Sequence, residues 1–253
     1  MHPIVTIYRI VILSTIMDIV SPYLLYNARM ELWHMLNRGV DGRNIFIEDR
    51  DRVRFVHNLY EFNDVAPANP NFGYHFKSMD IVSPYIEKRK RERLVRIHGW
   101  CLMKNHYHLL LSEIIEGGLS LFIRKLNVGY AKSFNEKYER VGTLFQSRTK
   151  KILIEHDAHF LYILHYIHLN PLDYLKGASG WRERDKRGVK SVSNSLKYLN
   201  EYRWSSYLDY VGKKNFPSIL TTELFKESFG DYQREIKEYL SDAEIDLTEL
   251  RLE

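Results

Sequence analysis

Two apolar runs, Leu94 to Met103 and Asn105 to Ser112, are separated by almost nothing but Lys104-Asn105. Runs of this length with so short a connection close as an antiparallel hairpin, and a hairpin in mid-chain commits the surrounding segments to a sheet. Upstream, Leu32, His34 and Leu36 alternate with Trp33 and Met35. That reads as a strand with both faces partly covered, ending at the turn signal Asn37-Arg38-Gly39. From Asp49 or Asp51, helical spacing of Val53, Val56, Leu59 and Tyr60 predicts a helix, stopped by Asn63-Asp64 with Pro67 and Pro70 beyond.

Downstream, Phe122, Leu126, Tyr130 and Phe134 recur every four positions and predict a helix from Ser120 to Tyr138. Leu144 to Ile154 predicts a fourth strand, and Asp157 can cap a helix that ends near Asn170, because Pro171 disfavours helical geometry in the residue before it. The order strand, helix, strand, strand, helix, strand, helix is the ferredoxin-like split βαβ pattern of the α+β class. The expectation is a four-stranded antiparallel sheet with helices on one face, an appended C-terminal helix, and a helical tail.

Three regions follow: a leader or upstream extension over 1–29, a main domain over 30–175 with an insertion at 64–94, and a loop and helical C-terminal extension over 176–253. The first 26 residues are apolar, but Arg9, Asp18 and Pro22 break them into pieces shorter than the roughly 20 residues a membrane span needs, so no membrane anchor is expected. The single cysteine, Cys101, excludes a disulfide scaffold and a thiolate-only metal site. It fits a reducing compartment, with the cytoplasm expected. Residues 1–208 hold 31 basic against 21 acidic residues, whereas 209–253 hold 6 against 11. The basic surface therefore belongs to the body, and a polyanion is a reasonable partner.

His106 and His108 flank Tyr107 on the second hairpin strand. Alternation sends both imidazoles to the same side, about 7 Å apart at the backbone, close enough to clasp one metal ion. Two satisfied surface histidines would give the same pattern. On the last helix Tyr162, Tyr166 and Asn170 form one stripe at four-residue intervals, which puts a phenol beside an amide. Half-buried core tyrosines and a helix stop before Pro171 are the structural alternative.

These segments, taken in order, resemble the single-tyrosine HUH transposases, in particular the REP-associated tyrosine transposase branch. The resemblance runs through Trp33-His34-Met35-Leu36-Asn37-Arg38-Gly39, Gly99-Trp100-Cys101-Leu102-Met103-Lys104-Asn105-His106-Tyr107-His108-Leu109-Leu110 and Arg124-Lys125-Leu126-Asn127. It continues in Gly142-Thr143-Leu144-Phe145-Gln146-Ser147-Arg148 and closes at Tyr166-Ile167-His168-Leu169-Asn170-Pro171. It implies that His106 and His108 are metal ligands, that Tyr166 is the nucleophile with Tyr162 as runner-up, and that Asn170 completes the metal site. The implied reaction is attack of the Tyr166 oxygen on a scissile phosphate of single-stranded DNA, commonly in a hairpin of a palindromic repeat, leaving a 5′-phosphotyrosine link that can be resealed.

Neutral nitrogen and oxygen ligands suit Mg²⁺ or Mn²⁺ better than Zn²⁺. Candidate DNA contacts are Arg38, Arg124, Lys125, Gln146, Arg148, Lys150 and Lys151, with Phe145 able to stack on a base. Family members include symmetric dimers and monomers, so a homodimer is one of two states the resemblance allows. Two other readings compete. One is a non-catalytic nucleic-acid-binding module on the same fold, whose aromatic glycine-rich strand signature is absent. The other is a metal hydrolase built on the pairs His156/His159 and His165/His168, which lacks a His-Glu-x-x-His signature and is better read as exposed helix histidines.

Overall fold

The computed structural model describes residues 31–67, 91–155, 157–182 and 189–241. The leader, most of the 64–94 insertion, His156 and the end of the acidic tail lie outside the described residues. Four strands, β1 (Leu32–Arg38), β2 (Val95–Leu102), β3 (His106–Glu113) and β4 (Lys150–Leu153), form one sheet. Its order is β2-β3-β1-β4, and every pairing is antiparallel. This is the expected split βαβ sheet, with helices α1 (Asp49–Glu61) and α2 (Gly118–Lys137) as the two crossovers.

Alternation along the strands divides the core. Met35, Trp100, Leu102, Tyr107 and Leu109 point into a cluster with Phe55 and Leu59 of α1 and Phe122 and Leu126 of α2. Leu32, Cys101 and Leu110 point the other way and pack on Phe160, Ile163, Leu164 and Ile167 of α3 (Asp157–Leu169). The expectation of helices on one face is therefore corrected: α3 covers the face opposite α1 and α2. Its residues explain why. A helix apolar on nearly every side must be buried on both sides, and α3 is sandwiched between the sheet and the C-terminal segment.

That segment contributes α4 (Val192–Glu201), α5 (Tyr207–Tyr210), α6 (Glu223–Ser228) and α7 (Tyr232–Ser241). Its stretch Trp204–Ser206 runs along the free edge of β2. Leu102 N donates to Trp204 O and Ser206 N donates to Trp100 O, both at 2.9 Å. Edge carbonyls and amides are thereby satisfied that would otherwise invite another strand. Gly99 lets α3 lie close on β2, since a β-carbon there would stand 2.8 Å from Leu164 Cδ1.

The fourth strand is shorter than expected. Phe145 makes an isolated bridge to Gly39 and Gln146 N donates to Arg38 O, but regular pairing starts only at Lys150. Between them the Asn37 amide donates to Ser147 O and Thr149 Oγ1, both at 3.2 Å, so a side chain takes over where the ladder lapses. Among the described residues no helix is long and apolar enough to cross a membrane.

Candidate active site

His106 and His108 leave β3 on the α3 side of the sheet, the face shared by their cross-strand partners Arg38 and Leu36. Their ring centroids are 4.9 Å apart. His106 Nδ1 lies 2.7 Å from Asn105 Oδ1, and because a carboxamide oxygen only accepts, that nitrogen carries the proton. His108 Nδ1 lies 2.9 Å from Nε2 of His34, a third imidazole contributed by β1. His108 Nε2 is buried and has no hydrogen-bond partner among the described residues. Burial, reinforced by His106, His34, Arg182 and Arg38, holds the His108 pKa well below the usual imidazole range. A neutral ring with one nitrogen anchored and the other unpaired suits a metal ligand.

Tyr166, on α3, is 6% exposed. Its ring centroid is 5.8 Å from that of His108 and 5.9 Å from that of His34, edge-on to both. The phenol oxygen accepts from Arg182 at 2.7 Å. The same guanidinium donates to Asn170 Oδ1 at 2.6 Å and to both carboxylate oxygens of Asp173, at 3.2 and 2.8 Å. Burial opposes its charge, but the Asp173 carboxylate outweighs this and keeps Arg182 charged. The Asn170 amide nitrogen donates to Tyr166 O at 2.7 Å, closing the last turn of α3 before Pro171. The Asn170 oxygen thus has one lone pair engaged and a second left for another partner.

Tyr162 takes a different surrounding. Its ring lies 6.3 Å from His165 and 5.9 Å from Tyr239, in the layer between α3 and α7. His165 and His168 are buried core residues, which corrects their reading as exposed helix histidines. His168 pairs with Tyr232 Oη at 2.8 Å and Ser206 Oγ at 2.7 Å, tying α3 to the C-terminal segment. Cys101, opposite His108 on β2, is buried, and that burial pushes its thiol well above the usual range, so it supplies no thiolate. Among the described residues no group of three or more His, Cys, Asp or Glu is arranged to hold a metal ion.

The basic candidates separate by layer. Arg38 and Lys150 are exposed on the imidazole face, opposite His106 and Leu36 respectively. Gln146 and Arg148 are exposed in the gap before β4, and Lys151 lies over the Trp33 ring at 4.7 Å. Arg124 and Lys125 belong to α2, beyond the opposite face. Lys125 donates to the carbonyls of Asp64 and Ala66, the latter at 2.8 Å, and so fixes the chain after α1. Phe145 is half-buried against Tyr107 and Tyr130.

Two residues at the site escape sequence reasoning. His34 is recognisable only once the β1–β3 register is known, and Arg182 sits in a polar stretch that reads as loop. No regular pattern marks either one.

Residues 77–170, which contain the histidine pair and end at Asn170, match the family described as "Transposase IS200 like". Over that stretch the chain is similar to this family. The IS200-like match spans β2 through α3 and leaves the C-terminal segment outside it. A solved structure described as "Structure of the REP associates tyrosine transposase bound to a REP hairpin" is similar with a TM-score of 0.42 and 13% identity, over 77% of this chain and 87% of that one. No curated protein matches the chain.

Proposed function

We propose that this chain is an IS200-like transposase that cleaves and rejoins single-stranded DNA, at hairpins of palindromic repeats, through a covalent 5′-phosphotyrosine link to Tyr166. The observation that carries the reading is the 5.8 Å approach of the Tyr166 ring to His108 on one face of the sheet. A divalent cation, Mg²⁺ or Mn²⁺, held by His106, His108 and Asn170, would polarise the scissile phosphate.

The chain's own residues do the rest. Arg182 holds the phenol oxygen, so the nucleophile is oriented before DNA arrives. Attack forms an oxygen–phosphorus bond as the bond to the 3′ oxygen breaks. The phenol gives up its proton, the leaving oxygen gains one, and the phosphodiester count is unchanged, which makes the step reversible. Arg38, Gln146, Arg148 and Lys150 line the approach from the imidazole face and the β4 edge, where cations attract phosphates. Arg124 and Lys125 are not part of this surface. His106, His108 and Tyr166 come from one chain, so the chemistry asks for no second copy. A DNA substrate and a single buried cysteine fit the cytoplasm.

The test is a hairpin oligonucleotide whose scissile linkage traps the covalent product. The expected result is a metal-dependent adduct with the wild type and with Tyr162→Phe, and none with Tyr166→Phe although DNA still binds. Tight, metal-independent binding with no cleavage under any condition would favour a non-catalytic nucleic-acid module instead.

A further inference from the structure

His34 and His108 are diagonal neighbours across the β1–β3 pair, because Leu36 stands opposite His108 and His34 opposite Leu110. Both imidazoles are fully buried and nearly parallel, at 16° with centroids 5.2 Å apart, and their facing nitrogens are separated by 2.9 Å. Two imidazole nitrogens at that distance share one proton, and its location decides what the far side of His108 can do. If His34 donates, the His108 proton moves to Nε2. There it occupies the nitrogen that a cation needs, so a cation-binding His108 requires the opposite arrangement, with the His34 proton on its own Nδ1. If His108 donates, Nε2 keeps a lone pair. Asn105 enforces the same choice on His106, since its carboxamide oxygen can only accept from His106 Nδ1.

On the transposase reading above, on which this inference rests, we propose that His34 is a positioning residue for His108: it accepts the His108 Nδ1–H and so presents the opposite ring nitrogen to the cation. His34 then touches neither DNA nor metal. It acts as the outer-shell partner that metal-bound histidines use to set tautomer and ring orientation, supplied here by an imidazole on the neighbouring strand.

Two measurements test this. Two-bond ¹H–¹⁵N spectra of the imidazoles in metal-free wild-type protein report the tautomer directly, and Mn²⁺ titration followed by electron paramagnetic resonance reports affinity without any turnover. The expected results are a His108 Nδ1–H tautomer in the wild type, its loss in His34→Leu, and Mn²⁺ binding weakened about 10- to 100-fold in that variant. His34→Gln, whose side-chain oxygen can accept the same proton, recovers most of the affinity. A His108 Nε2–H tautomer in the wild type overturns the proposal without recourse to any variant. So does a folded His34→Leu protein that binds Mn²⁺ as tightly as wild type, or a Gln variant as weak as the Leu one. Wild-type protein that shows the Nδ1–H tautomer yet binds no Mn²⁺ overturns the metal assignment of the preceding subsection and leaves the His34–His108 tautomer standing.

Discussion

The guanidinium of Arg182 donates to the Tyr166 hydroxyl at 2.7 Å while its other arm reaches Asn170 Oδ1 at 2.6 Å. One side chain from the C-terminal segment thus spans the candidate nucleophile and the candidate amide ligand, and Asp173 fixes it from behind. Replacing Arg182 by Ala frees the phenol to leave its orientation. Covalent adduct formation is expected to fall about 10²-fold, the usual consequence of misplacing a reacting group by an ångström or so. Single-turnover trapping checks it, and Arg182→Lys is expected to fall between, because an ammonium cannot reach both oxygens in a fork.

His98 predicts a pH dependence of stability. It is fully buried at the β2 bulge, donates from Nδ1 to Thr221 O at 3.1 Å and accepts from Ser112 Oγ at 2.7 Å, so the fold uses its neutral form. Burial pushes its pKa down to about 4. The unfolded chain takes up a proton near pH 6.5 and the folded chain does not until about 4, so stability is full above 6.5 and falls as pH drops through that window. The loss is on the order of 3 kcal/mol. Urea unfolding at pH 7 and pH 4.5 measures it, and His98→Gln is expected to flatten the difference.

Gly99→Ala sets a β-carbon 2.8 Å from Leu164 Cδ1, between β2 and the helix that carries Tyr166. Overpacking of this kind costs about 1 to 3 kcal/mol. Thermal melts are expected to show the loss.

Asp51 anchors the start of α1. It accepts from the amides of Ile47 and Glu48 at 2.8 and 2.9 Å, from Tyr138 Oη at 2.8 Å, and from Lys137. Burial raises its pKa, but Lys137 and these donors outweigh burial and leave it below the ordinary carboxylate value. Its contribution is therefore present above pH 4 and is lost as pH falls through the lowered value. Asp51→Ala leaves the amides of Ile47 and Glu48 and the Tyr138 hydroxyl without this acceptor, while Lys137 keeps Glu48, and is expected to cost about 1 to 3 kcal/mol, read by denaturant unfolding at neutral pH.

The strands and helices that position the site were legible in the sequence because hydrophobic period reports burial directly. The hairpin stands close to where the paired apolar runs put it, both crossover helices to where helical spacing put them, and α3 to where the Asp157 cap and Pro171 put it. Which face a helix covers is another matter. Period says that Phe160, Ile163, Leu164 and Ile167 are buried, not on what, and only the burial of His165 and His168 on the far side of α3 shows that a second layer lies above it. The fourth strand was overextended because Leu144 and Phe145 are apolar for packing against the α1–α2 layer, while Asn37 replaces the ladder between them and Lys150. His34 and Arg182 were invisible for the same reason. Their importance lies in contacts across 74 and 16 residues of sequence, which no local pattern encodes.

On the proposed function a single phenol, that of Tyr166, attacks the DNA. Trapping the wild-type protein on a cleavable hairpin, digesting the complex and sequencing the nucleotide-bearing peptide by mass spectrometry reads the attacking atom directly. The expected product is a 5′-phosphate ester on Tyr166, in the peptide that runs up to Asn170-Pro171. An ester on Tyr162 or on any residue outside α3, or cleaved DNA with no protein attached, would contradict it.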